Sequence, residues 1–373
     1  MKKTACTLLT LVIMSSLFSH PDTMDPEGNI TPSVGYRTSD RPSIVTQGEF
    51  LFWTADVGNL SYGLKSAVQS RNSSVNPNQT GLVDKKKEEF NWGWDPGVRA
   101  KLGVISDYDG WDFLSSWTYF YTSETTSKTV EPFHSNDFGN VNNNPIGTEV
   151  FSSSWFVFND QTRFNKLKAK ASILFNQIDL NQGRNFWISD YLSIRPFMGV
   201  RGYWTRLYFH LNGSRSIGSD IGAADAMARA KQNSWAVGLL SGLNTDWHLG
   251  CGFSLFGEFD FALAYGRTRV HLKRTFFEEN NASTQIDRNV TGRTKDSFYQ
   301  IHPFCDLGIG LRYNHDFDKT LRLILDAGWE YHTILKFNQF FKSTSREEGF
   351  TDLPSQRGNL SMTGLVIRGR VEF

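Results

Sequence analysis

From Cys251 to Gly266 the chain alternates without a break. Cys251, Phe253, Leu255, Gly257, Phe259, Phe261, Leu263 and Tyr265 fall on one side, and Gly252, Ser254, Phe256, Glu258, Asp260, Ala262, Ala264 and Gly266 on the other. Successive side chains of a strand point to opposite faces, so one face is oily and the other small or charged. A soluble sandwich strand usually has about five or six residues. This run is long enough to cross a bilayer at the tilt of a barrel strand, which takes about 9–11 residues. The last segment repeats the pattern: Leu365, Ile367, Gly369, Val371 and Phe373 face one way, and Val366, Arg368, Arg370 and Glu372 the other.

Ten such segments are legible, near 48–57, 89–105, 111–122, 163–180, 191–209, 232–247, 251–267, 298–314, 320–339 and 358–373. No long helical pattern separates them, which argues against a parallel α/β sheet. Short links near Ser106–Gly110, Asn181–Asp190, His248–Gly250 and His315–Lys319 alternate with long polar ones near 58–88, 123–162, 210–231, 268–297 and 340–357. Outer-membrane barrels sort their connections in this way, with brief periplasmic turns and long external loops. Both ends of the barrel then lie on the periplasmic side. A hairpin hidden in a long loop would raise the count from ten to twelve.

Lys2 and Lys3 precede an apolar run from Leu8 to Phe18, the layout of a secretory signal peptide. The expected organisation is a signal at 1–19, a flexible periplasmic leader rich in Pro, Ser, Thr and Asp at 20–46, and a barrel at 47–373. Beyond the signal, no apolar run approaches the roughly 20 residues of a spanning helix. Hydrophobic residues make up only 39% of the chain although 14% are aromatic, a combination that suits a barrel in which alternate residues meet lipid. The formal net charge of +1 gives no reason to expect a nucleic-acid partner.

Trp235 and Trp247 stand at opposite ends of the sixth segment and share a face. Twelve steps of about 3.3 Å at a tilt of about 40° rise roughly 30 Å, the separation of two aromatic girdles around an apolar band. Trp111, Trp204, Trp329 and Tyr331 are candidates for the same belts. Lipid leaves no backbone polar group a solvent partner, so a sheet can cross only as a closed barrel. The expected fold is therefore all-β: a transmembrane antiparallel up-and-down barrel.

With oily faces outward, the opposite faces line a lumen. They carry Arg99, Lys101, Lys168, Lys170, Arg195, Arg201, Glu258, Asp260, Asp306, Arg312, Arg322, Asp326, Glu330, Arg368 and Arg370. A fixed charge facing lipid at mid-depth costs about 2–4 kcal/mol, so energetics and parity agree. Basic residues dominate the second, fourth, fifth and tenth segments and acidic ones the seventh to ninth. That distribution suggests a field across a water-filled lumen passing small hydrophilic solutes. The alternative is a network of Arg–carboxylate pairs plugging a narrow barrel, since about eight strands are just filled by side chains.

Phe52-Trp53, Asp109-Gly110-Trp111-Asp112, Gly183-Arg184-Asn185-Phe186 and the run Leu192-Ser193-Ile194-Arg195-Pro196-Phe197-Met198-Gly199-Val200-Arg201 resemble the Legionella-type major outer-membrane protein family, with relatives among Chlamydia-like bacteria described as porins. The resemblance covers about Gln47 to Phe373. It implies an abundant pore-forming protein of the bacterial outer membrane, in contact with outer-membrane lipid and lipopolysaccharide. The final strand is similar to those whose terminal aromatic is read by the barrel-assembly machinery, which makes Phe373 the expected assembly signal. No catalytic residues are carried over. Asp109-Gly110 is a favoured hairpin pair, and Pro196, lacking a donor, is read as a bulge.

Two cysteines follow the signal, Cys251 and Cys305, without disulfide or metal-ligand spacing. They read as small lipid-facing residues, with cross-linking between chains as the sharper alternative. No cofactor is implied. A surface hydrolase is the rival class, with His210 and His271 near external strand ends and Asp220, Asp225, Glu278 and Glu279 nearby. A surface adhesin or structural barrel with a closed lumen is another, its long loops making host-cell contacts. Ala223–Lys231 is expected to form a short helix in one of those loops.

Overall fold

The computed structural model describes residues 42–70, 80–106, 110–131, 148–156, 164–215, 224–278, 288–318, 321–346, 349–354 and 357–373. The expected signal peptide and most of the leader lie outside the described residues. In chain order the strands are β1 (Ser43–Val57), β2 (Gly63–Ser70), β3 (Thr80–Glu88), β4 (Trp94–Ile105), β5 (Trp111–Thr129), β6 (Thr148–Ser152), β7 (Lys166–Arg184), β8 (Phe186–Ser189), β9 (Leu192–Arg215), β10 (Ala224–Gly250), β11 (Phe253–Glu278), β12 (Arg288–Asp318), β13 (Leu321–Asn338), β14 (Phe341–Arg346), β15 (Gly349–Pro354) and β16 (Gly358–Glu372).

One sheet of eleven strands contains all but β2, β3, β6, β14 and β15, and the short β8 pairs in it only with β9. The ten remaining strands close into a barrel, because β1 pairs with β4 on one side and β16 on the other. Every pairing is antiparallel. At the seam Phe50 stands opposite Ile367 and Phe52 opposite Leu365. The Ile44 amide donates to the Phe373 carbonyl at 2.7 Å and the Phe373 amide donates back to Ile44 at 3.0 Å.

Faces follow parity. On β16, Leu365, Ile367 and Phe373 are exposed while Val366, Arg368 and Glu372 are buried. Trp111, Trp204, Trp235, Trp247, Trp329 and Tyr331 all lie exposed on the outer surface. Between Trp235 and Trp247 the outward residues of β10 are Val237, Leu239, Ser241, Leu243 and Thr245, none of them charged. The bilayer belongs at that depth.

Several strands continue beyond the upper girdle, and the polarity of their faces then exchanges. On β9, Leu207, Phe209 and Leu211 point inward and are buried, whereas Arg206, Tyr208 and Asn212 point outward. On β10 the small residues Ala224, Ala226, Ala228 and Ala230 are buried and Arg229 is exposed. Outside the membrane, the surface is wetted again and the interior becomes an ordinary apolar core.

This exchange accounts for several departures from expectation. Ala223–Lys231 is not helical: from Ala224 onward it is strand, laddered to β9 and β11 without a gap. The external links between β9 and β10 and between β11 and β12 shrink accordingly, to 216–223 and 279–287. The barrel begins at Ser43 rather than Gln47. Hidden hairpins do exist, β2 with β3 and β14 with β15, but they form separate small sheets and leave ten strands in the wall.

Pro196 marks no bulge. The β9–β10 ladder passes through it, opposite Leu243, without a shift, while the ladder to β7 starts only at Phe197. Cys251 lies in the tight β10–β11 turn with φ 52°, beside Gly250 and Gly252, which also have positive φ. Gly110 precedes β5 with φ 63°, as a hairpin pair requires; Asp109 lies outside the described residues. Cys305 points outward beside Leu307, and both cysteines are free.

Phe373 is exposed at the periplasmic end of the seam, where assembly would present it. Phe373→Ala should lower the yield of heat-modifiable, folded barrel in cells severalfold, while protein refolded in detergent keeps its unfolding midpoint. An equal loss in both settings would make Phe373 a structural residue only.

Candidate functional site in the barrel lumen

The lumen is layered. On β10, Arg201 of β9 stands opposite Gly238, and Asp260 and Glu258 of β11 stand opposite Gly242 and Asn244. All these positions lie between Trp235 and Trp247, so the charged layer sits at bilayer depth. One rung of it alternates in sign from strand to strand: Arg312, Asp326, Arg368, Glu49, Arg99. Opposite charges directly across a ladder stabilise the pairing.

Other contacts cross the bore. Arg99 donates to Glu49 at 2.7 Å, to Thr118 at 3.0 Å and in bidentate fashion to Glu330 at 3.0 and 3.1 Å. Arg368 grips Glu258 at 2.6 and 2.7 Å and also bonds Glu330. Arg201 is 1% exposed. It holds Asp179 at 2.9 and 3.0 Å, Asp306 at 2.5 Å and Asp260 at 3.5 Å. His332 joins the two halves, lying 3.1 Å from Asp306 through Nδ1 and 2.9 Å from Glu330 through Nε2. Lys101 adds a contact to Glu49 at 2.9 Å.

Nearer the periplasm, Arg312 bridges Asp246 at 2.7 Å and Asp326 at 2.8 Å. Arg195 binds Asp112 at 2.7 Å and Asn181 at 2.8 Å. Arg370 pairs with Glu372 at 2.5 Å, and Arg322 with Asp316 at 3.4 Å. Aromatic rings separate the guanidinium groups. The Phe256 ring lies 4.9 Å from the Arg368 guanidinium and 5.3 Å from that of Arg312, and Phe304 lies 5.5 Å from that of Arg201. Below the layer is a vestibule of ≈ 190 Å³ that includes Gln47, Asp246, Arg312 and Arg370 in its wall. Within the layer a gap of ≈ 80 Å³ remains between Arg201, Asp260, Asn181 and His332.

Above the charged layer comes a neutral polar belt in which Ser234, Thr268, His302 and Gln300 are linked by hydrogen bonds. Above that, the external connections fold into the bore as a cap. Trp155 stacks on Phe209 of the wall at 4.1 Å and meets Phe340 edge-on at 5.7 Å. Its indole donates to the Ser61 carbonyl at 2.7 Å. Gln232 donates to the Phe337 carbonyl at 2.7 Å and accepts from the Gln339 amide at 2.9 Å. Lys342 of β14, outside the membrane, lies over the Trp155 ring at 5.6 Å and donates to Ser61 at 3.3 Å. Burial, with nearby Lys87 adding to it, pushes its pKa down to about 8.

Most of the residues expected in the lumen are there. Lys168 and Lys170 are not: Leu167, Ala169 and Ala171 take the inward face, and both lysines point out. They lie above the membrane, where a lipid penalty no longer drives charge inward. Glu49, Asp112, Asp179, Asp246 and His332 belong to the layer although charge counting passed over them; their parity with buried neighbours was the available signal. Asp179 lies on β7, a strand expected to be basic, and Glu49, Asp112 and Asp246 lie on β1, β5 and β10. Negative charge is therefore not confined to the seventh to ninth segments, and the expected division into a basic and an acidic wall does not exist. His210 and His271 face outward among Lys and Arg side chains.

A closed antiparallel barrel with an oily waist, aromatic girdles and a charged lumen defines an outer-membrane β-barrel protein. The chain matches the family described as Legionella pneumophila major outer membrane protein precursor over residues 47–373. It belongs to that family and to the bacterial outer membrane. No curated protein sequence matches it. Among solved structures it is similar to the outer membrane protease OmpT of Escherichia coli, with 12% identity, a TM-score of 0.37, and 89% of this chain and 96% of that one covered. It is also similar to a FadL homologue of Pseudomonas aeruginosa, with 10% identity, a TM-score of 0.22 and 90% of each chain covered. The toluene transporter TodX of P. putida gives 10% identity and a TM-score of 0.21, with 90% of this chain and 89% of that one covered.

Two outcomes follow from the layers. Arg201→Met leaves Asp179, Asp260 and Asp306 facing one another and should cost about 3–5 kcal/mol in urea unfolding from lipid vesicles. Adding Asp179→Asn and Asp306→Asn should restore most of it. Lys342 binds its proton less tightly in the folded cap than in the unfolded chain, so cap stability should rise with pH from about 8 toward the ordinary lysine value. Hydrogen exchange at Trp155 reads this, and Lys342→Met should remove the pH dependence.

Proposed function

We propose that the barrel is a narrow, gated porin-like channel for ions and small hydrophilic solutes, closed in the conformation described. The carrying observation is the polar path within the membrane. A vestibule of ≈ 190 Å³ leads from the periplasmic side to the charged layer, which itself encloses a gap of ≈ 80 Å³. The charged layer is the constriction and the Trp155–Phe340 cap is its external closure. Ten strands leave little room beyond their side chains, since open porins have about 16 to 18. Conductance should therefore be small and the open state infrequent.

A second reading, a structural or adhesive surface barrel with a permanently closed lumen, draws support from the ion pairs that cross the bore. Catalysis has less behind it, because His210 and His271 stand on the outer wall among cations rather than in a cleft with a carboxylate. Planar-bilayer recording on the pure, folded chain separates the channel from the closed barrel. The channel reading expects brief, small steps from the native protein and longer openings from Trp155→Ala, which loosens the cap without touching the charged layer. Silence from both proteins would sink it in favour of the closed barrel.

A further inference from the structure

The outer wall above the upper girdle carries a feature that the lumen does not explain. The ladders place Lys170, His210, Arg229, Lys273 and Arg293 on one continuous rung across β7, β9, β10, β11 and β12. All five have the outward parity, and Lys170, His210, Arg229 and Lys273 alternate with buried neighbours. The next outward rung toward the membrane adds Lys231, His271 and Lys295, and the one below that Arg206 and Arg269. Arg267 follows, on the rung of Trp204 and Trp235.

Like charges directly opposite one another across a ladder destabilise the sheet, and here they repeat over several neighbouring strands. No Asp or Glu has the outward parity on these rungs among the described residues; Asp225 stands two outward positions further from the membrane, and Asp296, although exposed, has the opposite parity, facing Val270 across the ladder. The charge gives way at β5: there the same rungs continue as Ser123 and Thr125, and farther round the wall β16 presents Ser361 and Thr363 outward. The charge is confined to one side, so it is not a general collar of residues reaching for solvent.

Its height is specific. Relative to Trp235, the rungs of Asn233, Lys231 and Arg229 lie about 5, 10 and 15 Å farther out along the membrane normal. That is the headgroup zone of the outer leaflet and the region just beyond it. A groove of ≈ 470 Å³ runs along this face, with Tyr208 in its wall between the cationic side chains. Lys231 lies over the Tyr208 ring at 5.2 Å and Arg206 at 5.8 Å, which holds both cations against the wall.

We propose that this face is a binding site for a phosphorylated glycolipid of the outer leaflet. Its acyl chains lie on the oily band below Trp204 and Trp235, and its phosphate groups sit on the rungs of Arg229, Lys231, Lys273 and Arg293. The phosphates supply the anionic charge that offsets the repulsion along the ladder, and guanidinium groups bind them through paired N–H donors. The assignment depends on the barrel's place in the membrane and not on whether the lumen conducts.

The test uses the full folded chain in zwitterionic detergent, titrated with a bisphosphorylated lipid A-type glycolipid, with its dephosphorylated counterpart, and with a sulfated heparin-type oligosaccharide. The native protein should bind the phosphorylated glycolipid, and Arg229→Gln/Lys273→Gln/Arg293→Gln should weaken that binding on the order of a hundredfold. Lys170→Gln/Lys295→Gln, at the ends of the rungs, should weaken it on the order of tenfold and serves if the triple variant fails to fold. Heat-modifiable migration checks folding, and Ser361→Gln on β16, which pairs with none of the cationic strands, should leave affinity unchanged. Unaltered binding by a folded cationic-face variant overturns the site. So does equal binding of the dephosphorylated glycolipid, which would leave only acyl-chain contact. Displacement by the sulfated oligosaccharide would overturn the lipid assignment in favour of a free-glycan surface.

Discussion

Backbone hydrogen bonding in hydrocarbon is the constraint on which everything else rests. Each unpaired amide or carbonyl within lipid costs several kcal/mol, so the sheet must close, and it closes where β1 meets β16. The register at that seam, with Phe50 opposite Ile367 and Glu49 opposite Arg368, decides two things together. It aligns oily residues outward, and it brings the Glu49 carboxylate between Arg99 and Arg368 inside. A slip of one residue would exchange the faces of the strand and put those charges in lipid.

Closure with ten strands then limits the interior. So small a bore cannot hold a wide column of water around charged walls, and the charges satisfy one another instead. Arg99, Arg201 and Arg368 each bind more than one carboxylate. Removing one partner is expected to be costly and replacing a whole cluster mild, as for buried ion pairs generally. The cap relies on a different force. Trp155, Phe209, Phe340 and Phe164 are buried aromatics, so the external half of the bore is held by apolar packing and the membrane half by charge.

Much of this was legible in the sequence. Alternation located all ten wall strands, and the lengths of the links oriented them. The outward places of Trp235, Trp247, Leu365 and Ile367 followed from parity alone. Two things were not legible. Lys168 and Lys170 were assigned inward because lipid was taken to act along the whole strand, whereas the strands outrun the bilayer and exchange faces above it. The partners of Arg201 and Arg99 were missed because contacts such as Arg99–Glu330 join distant parts of the chain across the bore. Those depend on closure and stagger, which local alternation does not specify.

On strands such as β9 and β10, which outrun the upper girdle, the polarity of the faces exchanges there, with oily residues outside and charge inside only at bilayer depth. Nitroxide accessibility on β10 tests this exchange most directly, in a chain whose Cys251 and Cys305 are replaced by serine. A label at Leu239 should be reached by a lipid-soluble relaxer and not by a water-soluble one, a label at Arg229 should show the reverse, and a label at Leu240 should be shielded from both. Water access at Leu239, or lipid access at Arg229, would contradict the placement of the membrane and the layered interior built on it.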